Sequence, residues 1–311
     1  MTSSSEILER ALAHRPRAAA LTEACRLLTP EEGISHLAID RYGDVIVLQE
    51  FEPEPRLPLI EAMADFLRTR LGCQCVVLKT FLKDRTRLHL TFNRSVALPG
   101  KAPPTSLWIE ENGLKFLIRP NEGFSTGLFL DQRDNRQFLK ELVVPHMSVL
   151  NLFCYTGSFS VYCASAGATT TSVDIAKKAL EWTKENFVEN SIPVDGHTFL
   201  ARHALDAMTG LKKQGRRFDL IIIDPPSFSR SKNGETFSLK RDYSALTALG
   251  RDLLSDAGHL YFSCNFSDYI ERGLPPVGGL ARCDSPNLPA TPIDFDRGKP
   301  TFVGTLLKAQ K

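Results

Sequence analysis

Apolar and polar positions alternate along Ser35 to Phe51 (SHLAIDRYGDVIVLQEF), with Arg41-Tyr42-Gly43-Asp44 in the middle. Period-two alternation interrupted by a glycine-containing tetrapeptide predicts a hairpin. Leu57 to Leu71 (LPLIEAMADFLRTRL) instead repeats its apolar residues at helical spacing and ends before Gly72, the residue type that caps a helix C-terminus. Two more strands are predicted, Gln74 to Phe81 and Arg87 to Phe92, which gives a small strand–strand–helix–strand–strand module. Pro99 to Thr105 (PGKAPPT) reads as a linker, since neither a helix nor a central strand accepts that composition. A further hairpin, Leu107 to Ile118, turns at Glu111-Asn112-Gly113.

From Ser148 onward the pattern changes to apolar strands alternating with amphipathic helices. Strands are predicted at Ser148–Phe153, Thr170–Ile175, His197–Ala201, Asp219–Asp224 and His259–Ser263. Helices fall near Ser158–Ala166, Ala176–Asn190, Leu205–Lys213 and Asp242–Leu254. Near-continuous apolar strands between helices predict an α/β fold with a parallel sheet covered on both faces. Arg272 to Pro292 is expected to be irregular before a last strand at Thr301–Ala309. The expected division is a small α+β domain over 1–103 and an α/β domain over 104–311.

Composition narrows the class. The 311 residues are 42% hydrophobic with Gly 20 and Pro 19, which fits a packed protein of roughly two domains. The richest apolar stretch, Phe218 to Pro226, is strand-sized, well short of the roughly 20 residues a membrane span needs. The N-terminal residues contain Glu6 and Glu9 and no apolar core, which argues against a secretory signal. Of the seven cysteines only Cys73 and Cys75 lie close, and their spacing alternates across a strand. A cytoplasmic, reduced, metal-free enzyme is the expectation. A net charge of +2 decides nothing about nucleic acid without the local distribution.

In a doubly wound sheet, ligands sit beyond the carboxyl ends of the strands. The first such end, Leu150 to Ser158 (LNLFCYTGS), runs into a Thr-Gly turn without the repeated glycines that a dinucleotide pyrophosphate needs. The second ends in Asp174, seventeen residues after Gly157, where a carboxylate can accept from ribose hydroxyls or simply cap the next helix. The fourth ends Asp224-Pro225-Pro226-Ser227-Phe228-Ser229, a stiffened turn that fixes a carboxylate and offers Phe228 to a base, or else only a rigid corner. The fifth ends Ser263-Cys264-Asn265, so a thiol lies at the same rim, either a nucleophile or an inert small hydrophobe.

Three runs together carry a resemblance: Thr126 to Arg136 (TGLFLDQRDNR), Asn151 to Ser158, and Asp224 to Ser229. The chain resembles the class I S-adenosylmethionine-dependent methyltransferases that modify bases of bacterial large-subunit ribosomal RNA, over roughly Gly33 to the C-terminus. The resemblance implies a Rossmann-like methyltransferase sheet with S-adenosyl-L-methionine as cofactor. Asp174, with Ile175 beside it, would bind the adenosine part. The loop containing Asn151, Phe153, Tyr155, Thr156 and Gly157 would cradle the methionine part. Asp131 and Gln132 would close over the cofactor, and Asp224, Pro225 and Phe228 would meet cofactor and base.

The likeness is a mosaic of two types. Ser227 to Tyr243 and the tail Ile293 through Leu307 are similar to the guanine-N7 type, whereas Ser263-Cys264 and Leu37 to Gly43 are similar to the cytosine-C5 type. The 32 residues before Gly33 are too few for the RNA-binding barrel of the latter. Arg202 and His203 replace the acid expected to meet the adenine amino group. Cytosine C5 is the expected target, with Cys264 as nucleophile and Asp224 beside it, because that chemistry demands a thiol and one is there. Guanine N7 without covalent catalysis is the alternative.

Lys79 to Arg94 (KTFLKDRTRLHLTFNR) carries five basic residues against one acid. At period two Lys79, Phe81, Lys83, Arg85, Arg87 and His89 would share one face, and basic groups interleaved with an aromatic suit phosphate contact and base stacking, or a plain solvated face. Ser229 to Lys240 is long and polar, as a substrate loop would be. The competing classes are a small-molecule or protein methyltransferase of the same fold and a non-catalytic RNA-binding protein. The sequence does not give the oligomeric state.

Overall fold

The computed structural model describes residues 3–13, 15, 22–52, 56–84, 89–230, 234, 236–283, 288–295 and 299–310. The chain forms two compact units, Met1–Asp131 with Pro292–Lys299, and Gln132–Thr291 with Pro300–Lys311.

The first unit contains α1 (Ser4–Ala13), β1 (Ala24–Leu28), β2 (Leu37–Tyr42), β3 (Val45–Glu50), α2 (Leu57–Leu71), β4 (Cys75–Asp84) and β5 (His89–Ala97). The five strands form one sheet in sequence order. Only β3 and β4 pair parallel, and α2 is the crossover that a parallel pair requires. Gly72 ends α2 at φ +69°, in the left-handed region, and its N–H bonds the Arg68 carbonyl at 3.0 Å. Ile39, Ile46, Leu48, Val76 and Leu78 pack with Leu8, Ile60, Met63 and Leu67 into the core between sheet and helices. β1 was not predicted, because ACRLL has no alternation and is defined by its pairing with β2.

The hairpin β6 (Leu107–Glu111) and β7 (Leu114–Ile118) turns through Asn112 and Gly113, both at positive φ as such a tight turn requires. It belongs to the first unit, since the Glu23 N–H donates to the Glu110 carbonyl at 2.8 Å. The compact units therefore part between 131 and 132, not between 103 and 104. The basic stretch divides as well. Lys79 is 1% exposed, with Nζ donating to the carbonyls of Glu122 and Gly123 at 3.0 and 3.3 Å, so it is not on a solvated basic face. Arg85 and Arg87 and the side chain of Lys83 lie outside the described residues.

The second unit runs α3 (Arg133–Leu142), β8 (Ser148–Leu152), α4 (Ser158–Ser165), β9 (Thr169–Asp174), α5 (Lys177–Glu189), β10 (Thr198–Ala201), α6 (Ala204–Lys213), β11 (Phe218–Ile223), β12 (Phe228–Arg230), β13 (Thr236–Ser238), α7 (Leu239–Leu253), β14 (Leu254–Cys264), α8 (Ser267–Arg272), β15 (Leu280–Arg282) and β16 (Val303–Ala309). Its seven-stranded sheet has the order β10-β9-β8-β11-β14-β16-β15. The first five strands are parallel. β16 lies antiparallel to both neighbours. Alternate residues serve opposite faces. Leu150, Leu152, Ile221, Ile223 and Phe262 pack with α6 and α7 residues such as Met208 and Leu246. Val149, Leu220, Ile222 and Tyr261 pack with Phe138 and Leu139 of α3 and Phe159 of α4.

Two expectations change here. The Arg272–Pro292 region contains α8 at its first residue and the short β15, which exists only by pairing with β16. The polar connection after β11 contains a hairpin, with Phe228 opposite Ser238 and Arg230 opposite Thr236. Residues 231–233 and 235 within it lie outside the described residues. Among the described residues no helix is long and apolar enough to cross a membrane, and no three His, Cys, Asp or Glu side chains could hold a metal.

Candidate active site

Strand order reverses between β8 and β11, where neighbouring crossovers leave in opposite directions and open a crevice at the carboxyl ends. The structure brings together there the ends of β8, β9, β11 and β14, with Asn151, Asp174, Asp224 and Cys264.

The loop from β8 to α4 is wound tightly. Phe153, Tyr155 and Gly157 have φ of 56°, 49° and 72°. Left-handed conformation in non-glycine residues costs of order 1–2 kcal/mol each, so surrounding contacts must hold it. They come mainly from α5. Thr183 Oγ1 donates to the Tyr155 carbonyl at 3.1 Å, and Asn186 Nδ2 donates to the Thr156 carbonyl at 2.9 Å. A Cβ on Gly157 would stand 2.1 Å from Thr183 Cγ2, so this turn admits only glycine. Thr183 and Asn186 were not singled out from sequence. Their one signal was polarity on the buried stripe of α5, beside Ala179, Leu180, Trp182 and Phe187.

Asp174 closes the loop from below. Its Oδ2 accepts the Tyr155 N–H at 3.0 Å and its Oδ1 accepts the Ala176 N–H at 2.8 Å. Asp174 does not cap α5, whose N-cap is Ala176 without a side-chain cap, and its two amide contacts leave room for a ligand, because a carboxylate has about four acceptor positions and each oxygen keeps one for a hydroxyl. Burial raises the Asp174 pKa above the usual carboxylate range, and the amides of Ala176, Tyr155 and Ile175 oppose it. Ile175, next along the chain, is 43% exposed and presents an apolar surface beside that carboxylate. A hydroxyl acceptor beside exposed aliphatic carbon, under a loop shaped for close backbone approach, fits the adenosine of S-adenosylmethionine.

Other predicted residues have structural partners. Asn151 is buried, and its Nδ2 donates to Ser160 Oγ at 2.9 Å, which in turn bonds Ser172 Oγ at 2.8 Å. Asn151 thus ties β8, α4 and β9 together. Thr156 is also buried. Gln132 opens the second unit at 5% exposure, and its Oε1 accepts from Asn135 Nδ2 at 2.8 Å and Tyr261 Oη at 3.4 Å. The Tyr261 ring lies 6.1 Å from that of Phe159, the second residue of α4, so Gln132 is anchored to the crevice wall. Asp131 ends the first unit, where it lines a cavity with Arg26.

On the far side of the crevice, Ser263 Oγ donates to Asp224 Oδ1 at 2.6 Å. Pro225 is buried, Phe228 is half-buried in β12, and Ser227 Oγ donates to Asn265 Oδ1 at 3.2 Å, bridging the β11 and β14 ends. Cys264 is 1% exposed and belongs to the core cluster under α7. Burial pushes its thiol up to about 11, with the Asp224 carboxylate adding to the shift. Arg202 gives its backbone N–H to the Asp174 carbonyl at 3.1 Å.

Comparison with known proteins agrees with this geometry. The profile of a family described as S-adenosylmethionine-dependent methyltransferase matches residues 90–271. Ribosomal RNA large subunit methyltransferase K of Neisseria meningitidis is 34% identical over 241 residues, covering 75% of this chain and 66% of its own. Ribosomal RNA large subunit methyltransferase I of Shewanella amazonensis is 32% identical over 243 residues, covering 75% of this chain and 59% of its own. The chain thus spans less than two thirds of these curated relatives. Among solved structures, SMU.776, assigned to the methyltransferases and crystallised with S-adenosylhomocysteine, superposes with a TM-score of 0.81 at 29% identity, over 98% of this chain and 80% of that one. A methyltransferase from Agrobacterium tumefaciens, at 23% identity and a TM-score of 0.62 over 88% of each chain, shares the fold.

Proposed function

Because the chain belongs to the S-adenosylmethionine-dependent methyltransferase family, we propose that it transfers a methyl group to a base of large-subunit ribosomal RNA. The names of its relatives support that substrate. When bound, S-adenosylmethionine supplies an electrophilic methyl on a sulfonium, whose S–C bond breaks onto sulfur as the bond to the base forms. The residues of the chain bind and orient. Asp174 holds the ribose hydroxyls and Ile175 packs on the adenine. The 153–157 loop cradles the methionine part, and Gln132 acts at its edge. Asp224 and Pro225 fix the crevice wall on which Phe228 offers a stacking surface.

Burial of Cys264 supports direct transfer to an in-plane lone pair, as at guanine N7. Attack at cytosine C6 requires a thiolate, and reactive thiolates sit in partly exposed, electropositive surroundings. A thiol pushed up to about 11, beside a carboxylate, is only about one part in ten thousand thiolate at neutral pH. Guanine N7 needs no covalent activation and releases no proton. The cytosine-C5 reading through Cys264 keeps in its favour the position of the thiol at the end of β14 beside Asp224.

Cys264→Ser separates the two, with large-subunit ribosomal RNA from a strain lacking the gene as substrate. Direct transfer predicts retained methylation, a guanosine adduct by mass spectrometry, and no covalent complex with 5-fluorocytosine RNA. Loss of methylation with unchanged S-adenosylhomocysteine affinity, together with trapping of the parent, establishes the C5 route instead.

A further inference from the structure

We propose that the first unit carries a nucleobase-binding pocket of its own, which seats one unpaired base of the RNA substrate. The inference rests on the RNA reading above and adds a recognition site that lies wholly within the first unit. Its sheet has two unlike faces. One is apolar and packs on α1 and α2. The other carries Arg26, Asp40, Gln49 and Lys79 across four adjacent strands, with Arg26 opposite Asp40 and Gln49 opposite Lys79.

A cavity of about 180 Å³ lies over this row, walled by residues 124–126 and 128–131 and by Phe295. Its size selects the ligand. A cavity of about 150 Å³ takes a benzene ring, and drug-sized ligands need roughly 300 Å³ or more, so one planar ring system fits. Phe124 and Phe129 line it while 52% and 46% exposed, which leaves aromatic surface available for stacking.

Charge selects further. The charged lining residues are Arg26, Lys79, Asp40 and Asp131, two of each sign. Arg26 Nε and Nη2 donate to Asp40 at 2.5 and 3.3 Å, and the Lys79 ammonium is committed to two carbonyls. A phosphate or a free cation finds no net attraction here. A neutral, flat, hydrogen-bonding ligand does. Gln49 Nε2 donates to Asp40, which fixes the amide and leaves its Oε1 as an acceptor. Arg26 keeps Nη1 as a donor, its guanidinium held 4.5 Å over the Phe295 ring and its backbone N–H bonded to Asp294 Oδ2 at 3.0 Å. One donor and one acceptor, from the two side chains that flank Asp40, match the polar edge of an unpaired base, and the aromatics match its face.

Gln49→Leu and Phe129→Ala test the pocket by fluorescence anisotropy with labelled fragments of large-subunit ribosomal RNA over a salt series. Loss of stacking or of a polar edge contact is expected to weaken RNA binding about 5- to 150-fold. The slope of log affinity against log salt should match the parent, because no phosphate contact is lost, and S-adenosylhomocysteine affinity should stay within about twofold. Ultraviolet crosslinks from the bound RNA should map to Phe124 or Phe129. Parent-like RNA affinity in both variants, or a flattened salt slope, overturns the pocket while leaving the RNA reading intact. A parent chain that binds none of the fragments overturns the RNA reading itself, and the pocket with it.

Discussion

Asp174 and Gly157 carry the cofactor end of the crevice by different means. Asp174 contributes lone pairs that remain after two backbone amides are satisfied. Hydrogen bonds to a charged group contribute roughly 1.5–3 kcal/mol, so Asp174→Ala is expected to weaken S-adenosylmethionine about 10- to 150-fold. Titration calorimetry on the folded variant checks this, and an unchanged dissociation constant removes Asp174 from the site. Gly157 contributes by absence. Gly157→Ala combines φ +72° with a Cβ 2.1 Å from Thr183 Cγ2, so urea unfolding should show a loss of more than about 1 kcal/mol. Adding Thr183→Ala should recover part of that loss, and strict additivity in the double-mutant cycle would deny the contact.

Element by element, the second unit was legible because its strands are buried on both faces and read as apolar runs. The end of each run pointed at the crevice. Asp174 could be picked out because it closes such a run, and the Thr-Gly turn because no other residue type fits there. Thr183 and Asn186 were not legible, since which loop a polar residue on a buried helix face holds depends on the fold. Short β1 and β15 were missed because pairing rather than pattern defines them. β4 misled for a physical reason, in that a lysine in a basic run reads as solvated until its carbonyl partners are known. Burial pulls Lys79 down from its ordinary 10.5 to about 8. Between those values the unfolded chain binds more protons than the folded one, so this residue makes stability rise with pH across that window, and below about 8 its full penalty applies. The parent-minus-Lys79→Met difference in thermal stability should therefore grow from pH 8 to 10.5. A flat difference means the ammonium is better solvated than its burial implies.

For the whole molecule, a net charge of +2 gives little general attraction to RNA, so binding must come from local groups. If Lys83, Arg85 and Arg87 meet phosphates, replacing all three by Ala should flatten the salt dependence on a partly single-stranded target by about two units. Equal slopes would make them a solvated face. The division into units was only partly legible. A proline-rich stretch marked a break at 99–105, but the β6–β7 hairpin after it packs with the first unit, and residues 292–299 return to that unit from far along the chain.

The antiparallel β16 also has a consequence in time. It lies between β14 and β15 in the sheet but follows both in the sequence. While the chain is being synthesised, β14 therefore presents an open edge, and β15 has no partner until Val303–Ala309 emerges. An unpaired edge of largely apolar residues invites pairing with another nascent chain. The interval before Val303–Ala309 pairs is thus the period of greatest exposure to misassembly.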